Sequence, residues 1–347
     1  MLYDVHNPHG GDIYEEHGLL DFSASTNPLG TPEGVRRAVQ ESVRQLDRYP
    51  DPYCRELVQA ISLHEQVPEE YILCGNGAAE LIYAFDRAVS PQKAAEPAPT
   101  FSEYSLGLAD CDFVRFPLKQ ESGFSLTEEV LPFLKAEKPQ VFFLCNPNNP
   151  TGKLADFGLL REILQACREE NILLFADECF LSLTREGRSL KEFLGEYPEL
   201  FILKAFTKSY GMAGLRLGYG LSSNRQLLKK MAGSMQPWNV SIPAQKAGIA
   251  ALKDGKFLQD TLCLVEQERV FLKAELEKLG LWVCDSVSNF LLFQGPHILG
   301  NQMKKQKILL RSCENFPGLG PGWYRIAVRT HEENKRLLDT MHQILEG

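Results

Sequence analysis

A lysine and an arginine, Lys208 and Arg216, are the residues whose types and spacing most directly indicate chemistry in this sequence. Both lie in the stretch TKSYGMAGLR, which is rich in Ser, Thr and Gly and separates two apolar runs. A lysine amine can attack carbonyl groups as a nucleophile, and a guanidinium can bind carboxylate or phosphate through two parallel hydrogen bonds. A lysine in such a loop could also simply be solvated, so its interpretation depends on what the fold brings to it.

A third candidate is Asp177, which ends the apolar run ILLFAD. A carboxylate at the end of a buried strand is partly desolvated and needs a cationic partner, for which a protonated pyridine nitrogen would serve. The alternative is a helix cap or a structural ion pair, because Glu178 follows directly and single Asp-Glu pairs are common.

Two further loops carry polar residues, CGNGAAE and NPNNPTG. In the first, Gly75, Asn76 and Gly77 precede an amphipathic helical pattern and could offer backbone N–H groups to a phosphate, or could form only a tight turn. A dinucleotide site is also conceivable, with Glu96 near the distance expected for a ribose ligand. It is disfavoured because Glu80 stands where that motif requires a third glycine. The second loop could be only a Pro-rich turn.

Apolar runs typical of strands alternate with helical patterns from about residue 70 onward. The runs are VFFLC (141–145), ILLFAD (172–177), LFILKAF (200–206) and LRLGYGL (215–221). Between the first two, Asp156 can cap a helix whose apolar residues fall on one face, which completes a βαβ unit. The sequence therefore predicts an α/β fold with a mostly parallel, mixed sheet covered by helices on both faces.

The pattern changes after residue 245, which indicates a second, smaller α+β domain. Its predicted elements are a long helix over 261–279 ended by Gly280, and strands at 289–293, 308–311 and 323–328. The N-terminal arm and a helix over 33–46 are expected to pack on this domain. We therefore predict an N-terminal arm with part of the small domain at 1–45, a large domain at 46–245 and a C-terminal small domain at 246–347.

The four polar loops are expected to meet, because ligands of doubly wound sheets bind beyond the carboxyl ends of the strands. A phosphate cradle, a carboxylate, an amide and a lysine on adjacent strand ends match the requirements of pyridoxal 5'-phosphate. In that interpretation Lys208 binds the cofactor covalently, Asp177 keeps its ring nitrogen protonated and Arg216 neutralises its phosphate.

Composition excludes several other functions. A formal net charge of -8 argues against nucleic-acid or anionic-membrane surfaces, and nine cysteines without any C-x-x-C pair favour a reducing cytoplasm. No signal peptide or apolar run of membrane-spanning length is evident. His6 and His9 are the nearest approach to a metal-binding pair, but nothing close to them completes a ligand set, so no metal is expected.

The combination of NPNNPTG, the strand-end aspartate and TKSYGMAGLRLGY resembles fold-type I pyridoxal phosphate enzymes of the class I/II aminotransferase family, over nearly the whole chain. Five further motifs are most similar to the L-threonine-O-3-phosphate decarboxylases of cobalamin biosynthesis, relatives of histidinol-phosphate aminotransferases. These motifs are HGGDIYE, DFSASTNPLG, RYPDPYCREL, QPWNVS and LLRSCENFPGLGPGWYRIAVRT. The resemblance implies a homodimer with shared active sites that converts threonine phosphate to (R)-1-amino-2-propanol phosphate. The alternatives are an aminotransferase of the histidinol-phosphate or aspartate type, a nucleotide-binding oxidoreductase and a non-catalytic pyridoxal phosphate-binding module.

The resemblance also assigns cofactor contacts. It implies that Asn149 hydrogen-bonds the cofactor's phenolic oxygen and that Phe101 stacks on its ring. Tyr49 would reach the phosphate of the cofactor in the neighbouring subunit.

Four residues are implied to bind the substrate. Arg311 and Arg325 are the residues of the family that bind substrate anions, although each could instead form a surface ion pair. His9 and Asn27 would help to hold a substrate phosphate. Guanidinium groups suit a ligand that carries both a carboxylate and a phosphate.

Two positions depart from the family pattern. Ala205 stands where a Ser or Thr usually binds the cofactor phosphate, so one hydroxyl ligand is missing, which Thr207 could replace. Phe180 stands where most aminotransferases have a Tyr that bonds the cofactor oxygen, as it also does in the decarboxylase relatives.

Overall fold

Two sheets and a two-stranded ribbon form the framework of the computed structural model, which describes residues 9–14, 16–108 and 110–346. The strands are β1 (Leu20–Asp21), β2 (Ile72–Gly75), β3 (Lys93–Ala98), β4 (Asp112–Pro117), β5 (Val141–Cys145), β6 (Leu173–Asp177), β7 (Leu200–Ala205), β8 (Gly218–Leu221), β9 (Trp282–Val283), β10 (Phe290–Gln294), β11 (Ile308–Leu309), β12 (Arg311–Ser312) and β13 (Trp323–Ala327).

Helices cover these sheets. They are α1 (Glu33–Ser42), α2 (Arg55–Glu65), α3 (Ala78–Val89), α4 (Glu103–Leu106), α5 (Val130–Glu137), α6 (Phe157–Glu169), α7 (Phe206–Ser209), α8 (Arg225–Ser234), α9 (Ile242–Leu252), α10 (Gly255–Lys278), α11 (Leu299–Lys305) and α12 (His331–Glu346). None of these helices combines the length and apolar character that crossing a lipid bilayer requires.

The large sheet has seven strands in the order β2-β8-β7-β6-β5-β3-β4. The run from β7 to β4 is parallel, and β8 is antiparallel to both of its neighbours. Because β2 and β7 both oppose β8, they run in the same direction, and their carboxyl ends lie at the same edge. The predicted α/β fold with a mostly parallel, mixed sheet is confirmed.

Both faces of this sheet are buried, which explains the nearly continuous apolar runs. On one face, Phe142, Leu174 and Ile202 enter one hydrophobic cluster, and on the other face Phe143 and Phe175 enter a second cluster. Alternation of side chains along each strand therefore gives every strand of the centre two apolar faces.

Local sequence signals explain most element boundaries. The side chain of Asp156 accepts a hydrogen bond from the N–H of Leu159 and so caps α6 as expected. The last apolar run forms a strand only from Gly218, because Ala213–Leu215 is a 3-10 turn and Arg216 adopts a left-handed backbone with φ 56°.

The smaller layer contains the antiparallel sheet β12-β13-β10-β9 and the parallel pair of β1 with β11. Leu20 pairs with Ile308, so the N-terminal segment contacts the C-terminal part of the chain, and Phe22 is buried in the apolar cluster of this layer. By contrast, α1 packs on α9, and its Val35 joins the main core. The domain boundaries at residues 45 and 245 stay a prediction.

Replacing Phe143 by Ala is expected to destabilise the protein strongly. Phe143 is fully buried, and its ring centroid lies 5.2 Å from those of both Tyr104 and Phe175. Losing such a ring leaves a cavity and costs ~3–5 kcal/mol, whereas Leu63→Ala, at a side chain that is 76% exposed, should cost ~0.5 kcal/mol or less. Urea denaturation followed by circular dichroism measures both, and equal midpoints would contradict the assigned packing.

Candidate active site

A cavity of about 220 Å³ opens at the carboxyl ends of the large sheet's strands. It brings together most of the site residues predicted from the sequence. Those that line it are His9, Phe101, Asn149, Asp177, Thr207, Lys208, Arg216, Arg311 and Arg325.

Asp177 ends the central strand β6 and is 5% exposed. Its Oδ2 accepts a hydrogen bond from the hydroxyl of Tyr104 at 2.7 Å, and its Oδ1 accepts one from the N–H of Cys179 at 2.9 Å. Burial raises the pKa of the Asp177 carboxyl, and the hydrogen bonds from Cys179 and Tyr104 act against that rise. Within the described residues no lysine or arginine nitrogen lies within ion-pairing distance of this carboxylate. A cationic group of a ligand would therefore supply the missing charge partner.

Glu178, the next residue along the chain, faces the other side of the sheet. It lies 3.3 Å from the amine of Lys204 and accepts a hydrogen bond from the N–H of Leu190. The structural ion pair considered for the Asp-Glu sequence therefore describes Glu178 and not Asp177.

Lys208 follows β7 and lies in the short helix α7, where its amine is 5.6 Å from the centroid of the Phe180 ring. Burial lowers the pKa of Lys208 to about 8, and the nearby positive charges of Arg325 and Arg216 lower it further. The neutral form of this amine is therefore a minority near physiological pH but far more abundant than for an ordinary lysine, and this form is the one that acts as a nucleophile or accepts a proton.

Arg216 lies against the start of α3. A Cβ atom built on Gly77, whose φ is +82°, would lie 2.6 Å from a terminal nitrogen of the Arg216 guanidinium. Only glycine therefore allows this contact. The arrangement places a guanidinium beside a helix N-terminus, a combination that binds anions.

The backbone N–H groups of the GNG turn are not the donors that face the cavity. The N–H of Asn76 donates to Oε2 of Glu80, and the N–H of Gly77 donates to the carbonyl of Gly75. Instead Ala78 and Ala79 line the cavity, in the first helical turn, where N–H groups have no partner within the helix. A phosphate-binding role for Gly75, Asn76 and Gly77 stays a prediction, and in this geometry these residues form the turn that precedes α3.

Arg325 lies in the middle of β13 and is 7% exposed. Its guanidinium donates to Oδ1 of Asn149 and to the carbonyl of Ser23, while its Nε has no hydrogen-bond partner among the described residues. Because Asn149 accepts from Arg325, its amide nitrogen is oriented to donate to another group. Burial lowers the pKa of Arg325 to about 10, so an anion in the cavity would offset the cost of this charge.

Arg311 lies on β12 opposite Arg325, and the two residues are register partners across the strands. The guanidinium of Arg311 donates to Asn315 and lies 5.1 Å from the Phe316 ring centroid. Burial lowers its pKa. Two guanidinium groups therefore share one wall of the cavity.

His9 and Phe101 also line the cavity. The Nε2 atom of His9 lies 2.6 Å from Glu103, which also accepts a hydrogen bond from the hydroxyl of Tyr83. The ring centroids of His9 and Phe101 are 5.8 Å apart. His6, the other histidine of the conceivable metal pair, lies outside the described residues, which contain no group of three or more His, Cys, Asp or Glu placed to hold a metal ion.

Asn27 and Tyr49 do not line the cavity. Asn27 is buried, and its amide donates to the carbonyl of Ser209 and the hydroxyl of Thr261, so its side chain supports the loop behind Lys208. This geometry gives no support to a direct contact with a substrate phosphate. Tyr49 is 76% exposed and stacks on Trp238, so it can contact a cofactor only in another subunit.

The positions that depart from the family pattern also line the cavity. Ala205 ends β7, and Thr207, the residue expected to replace the missing hydroxyl, lines the same cavity. Phe180 packs edge-on against Phe290 at 5.0 Å between centroids. These compensations stay predictions.

Sequence reasoning missed Tyr104, Cys145 and Cys179, which surround Asp177. Tyr104 lies in the same motif as Phe101, APTFSEY, but nothing in its spacing assigned this tyrosine to Asp177, because α4 begins only at Glu103. The cysteines could not be assigned from the sequence, since buried thiols behave like any small apolar residue.

The dinucleotide alternative has no support in this geometry. Glu96, the conceivable ribose ligand, is buried on β3, and its Oε1 accepts from Arg115 at 2.9 Å. Glu80 is bonded to Asn76 and to the amide of Asn239. Both carboxylates therefore have structural partners.

Comparisons with known proteins place the chain in a family. Residues 17–341 match the model of aminotransferase class I and II. The chain belongs to the aminotransferase class I and II family.

One sequence relative and two solved structures are similar to this chain over most of its length. The threonine-phosphate decarboxylase of Salmonella typhimurium is 36% identical over 98% of this chain and 97% of its own length. The structure of a histidinol-phosphate aminotransferase from Clostridium acetobutylicum superposes with a TM-score of 0.88 at 28% identity, covering 94% of this chain and 99% of that one. That of a histidinol-phosphate aminotransferase from Sinorhizobium meliloti in complex with pyridoxal-5'-phosphate gives 0.83 at 23% identity, covering 93% and 89%.

The pH dependence of Lys208 reactivity tests the site electrostatics. Only the neutral amine reacts with trace acetic anhydride, so in ligand-free protein Lys208 should reach half-maximal acetylation near pH 8. Exposed lysines should reach half-maximal acetylation at about pH 10.4. Peptide mass spectrometry compares Lys208 with the exposed Lys253 in the same sample. Superimposable profiles of the two lysines would contradict the lowered pKa.

Proposed function

We propose that this protein is a pyridoxal phosphate-dependent carboxy-lyase that converts L-threonine O-3-phosphate to (R)-1-amino-2-propanol phosphate. The observation that carries the choice of reaction is the similarity to a threonine-phosphate decarboxylase along nearly the whole chain. The cavity supports the chemistry, since it combines a buried carboxylate, a lysine with a lowered pKa and two guanidinium groups.

The residues present fit pyridoxal phosphate. The buried Asp177 carboxylate has no cationic side chain within ion-pairing distance among the described residues, and a protonated ring nitrogen would supply one. The guanidinium of Arg216 lies close to Gly77 at the start of α3, and both Arg216 and the first turn of α3 line the same cavity, a combination that suits a phosphate.

The proposed cofactor contacts follow from these positions. Lys208 would hold the cofactor covalently, Asp177 would pair with the ring nitrogen and Arg216 would bind the phosphate. Asn149 would donate to the phenolic oxygen and Phe101 would pack on the ring. When bound, pyridoxal phosphate supplies an electron sink for the pair released from a bond at the substrate's Cα.

Substrate recognition is assigned to the arginine wall and to His9. Arg311 and Arg325 bind anionic groups through their guanidinium forks, and His9 adds a donor from the N-terminal segment. Asn27, expected to join His9, does not line the cavity, and its amide donates to the carbonyl of Ser209 in the loop that carries Lys208. A phosphate bound by these donors would leave the carboxylate free to orient perpendicular to the cofactor ring, the geometry in which its bond to Cα breaks.

Lys208 is also the candidate for proton transfer. Decarboxylation breaks the bond between Cα and the carboxylate carbon, releases CO2 and requires one proton at Cα. An amine whose pKa is about 8 can both hold and release a proton near neutral pH. Proton delivery at Cα is therefore assigned to Lys208.

The second candidate function is an aminotransferase acting on histidinol phosphate or a similar anionic amino acid. The structural similarity to a histidinol-phosphate aminotransferase favours it. Phe180 fits the decarboxylase relatives but would not by itself prevent transamination. The two reactions share the cofactor and its contacts and differ in which bond at Cα is broken.

A homodimer with shared active sites is part of the proposal. The exposed apolar side chains of the segment before α2, with that of Trp238, form a surface that a second subunit could cover. They are Val43, Leu46, Tyr49, Tyr53 and Trp238, each 45% to 76% exposed. Tyr49 would then reach the cofactor phosphate of the neighbouring subunit, as the family resemblance implies.

The proposed compartment is the cytoplasm. All nine cysteines are free in the structure, as expected for a protein in reducing surroundings. A role in cobalamin biosynthesis is the corresponding metabolic expectation.

Removing either guanidinium should weaken substrate binding. Arg311→Ala and Arg325→Ala are each expected to cost ~2–5 kcal/mol of binding, because a desolvated anion would lose its partner. Steady-state kinetics with threonine phosphate measure this as a rise in KM. Arg329→Ala is the matched control, since Arg329 lies outside the cavity and pairs with Glu333 at 2.8 Å. Wild-type KM values in both cavity variants would refute the anion site.

A product assay tests the reaction itself. The purified protein, loaded with pyridoxal phosphate, is incubated with threonine phosphate in the presence and absence of 2-oxoglutarate, and CO2, aminopropanol phosphate and glutamate are quantified. We expect CO2 and aminopropanol phosphate in equal amounts without any need for 2-oxoglutarate, and essentially no product from Lys208→Ala. Glutamate formed without CO2 would overturn the decarboxylase assignment in favour of the aminotransferase.

A further inference from the structure

We infer that Tyr104 is a positioning residue, whose hydroxyl holds the Asp177 carboxylate ionised and oriented toward the cofactor's ring nitrogen. This inference rests on the proposed function, because it assigns a partner to Asp177 in that reaction. Its basis is the hydrogen bond of 2.7 Å from the Tyr104 hydroxyl to Oδ2 of Asp177.

The position of Tyr104 is fixed by aromatic packing. Tyr104 is fully buried, and its ring stacks on Phe143 with centroids 5.2 Å apart and an interplanar angle of 11°. Its ring also meets Phe101 at 5.7 Å in an edge-on geometry, and Phe175 lies at 5.9 Å. The hydroxyl therefore has little freedom to leave Asp177, and one side chain contacts both residues assigned to the cofactor ring, Phe101 and Asp177.

The hydroxyl matters because Asp177 has few other sources of stabilisation. Its remaining hydrogen bonds come from Cys179, and the other groups that face it are the thiol of Cys145 and the amine of Lys208. Burial disfavours the charged carboxylate, so each donated hydrogen bond decides how strongly the ionised form is retained. Without the Tyr104 donor, a proton shared between the carboxyl and the ring nitrogen would move toward the carboxyl.

A proton on the Asp177 carboxyl in place of the ring nitrogen would slow the reaction. A ring nitrogen that loses its proton to Asp177 is a poorer electron acceptor, so the bond at Cα breaks more slowly. Substrate binding is assigned to Arg311, Arg325 and His9, whereas the hydroxyl of Tyr104 donates to Asp177. The effect should therefore appear in kcat and not in KM.

The test uses the Tyr104→Phe variant, which removes the hydroxyl and retains the ring. Wild-type and variant protein are loaded with pyridoxal phosphate that carries ¹⁵N in its ring, and the ¹⁵N chemical shift reports the protonation of that nitrogen at neutral pH. We expect the variant's shift to move toward that of the unprotonated ring, with kcat lowered about tenfold and KM within about twofold of the wild-type value.

Two comparisons separate positioning from a general loss of stability. Tyr324→Phe removes another buried hydroxyl, which donates to the carbonyl of His297 at 2.7 Å on the small layer, and it should leave the ¹⁵N shift unchanged. In a double-mutant cycle with Asp177→Asn, adding Tyr104→Phe should cause no further loss of kcat, because Tyr104 acts through that carboxylate.

The outcomes distinguish this inference from the proposed function. If wild-type protein fails to bind pyridoxal phosphate, the proposed function is wrong and the inference falls with it. If wild-type protein binds the cofactor and turns over, but Tyr104→Phe keeps the wild-type ¹⁵N shift and kcat, the positioning role alone is overturned. Additive losses in the double variant would likewise show that Tyr104 does not act through Asp177.

Discussion

The burial of the Asp177 carboxylate at the end of the central strand is the constraint on which the site depends. A charge in this position costs free energy unless hydrogen bonds and a cation compensate for it. The fold supplies hydrogen bonds from Tyr104 and the backbone of Cys179, but within the described residues it supplies no side-chain cation within ion-pairing distance. A cationic ring nitrogen would satisfy this requirement. Binding such a ligand would therefore also offset the free-energy cost of the buried Asp177 carboxylate at this end of the sheet.

The cations of the cavity impose the complementary constraint. Burial lowers the pKa of both Lys208 and Arg325. The charge of Arg325 further lowers the pKa of Lys208, and the charge of Arg311 further lowers that of Arg325. A ligand with more than one anionic group would relieve this repulsion, and the phosphorylated amino acid proposed as substrate has that character. The same repulsion enlarges the neutral fraction of the Lys208 amine, and a lysine reacts as a nucleophile in that neutral state.

Much of the large sheet could be predicted because its strands are buried on both faces. The strand β5 begins and ends as its apolar run indicated, and β6 and β7 differ from theirs by one residue at one end. The run that leads into β8 was misleading, since hydrophobicity does not reveal the left-handed conformation of Arg216. The packing of α1 on α9 was also missed, because an amphipathic helix shows which face is buried but not which element covers it.

The sequence by itself determined the residue types at the strand ends, and with them the class of chemistry: a lysine, an aspartate, an asparagine and an arginine in loops that a parallel sheet must bring to one edge. Only the tertiary structure decided which donors face the cavity. It turned Ala78 and Ala79 toward the cavity while Asn76 and Gly77 became bonded within the turn, and it placed Asn27 behind the lysine loop. It also brought Tyr104 to Asp177, from 73 residues away. These outcomes depend on the direction of individual N–H and side-chain groups, and packing between segments distant in the chain sets those directions.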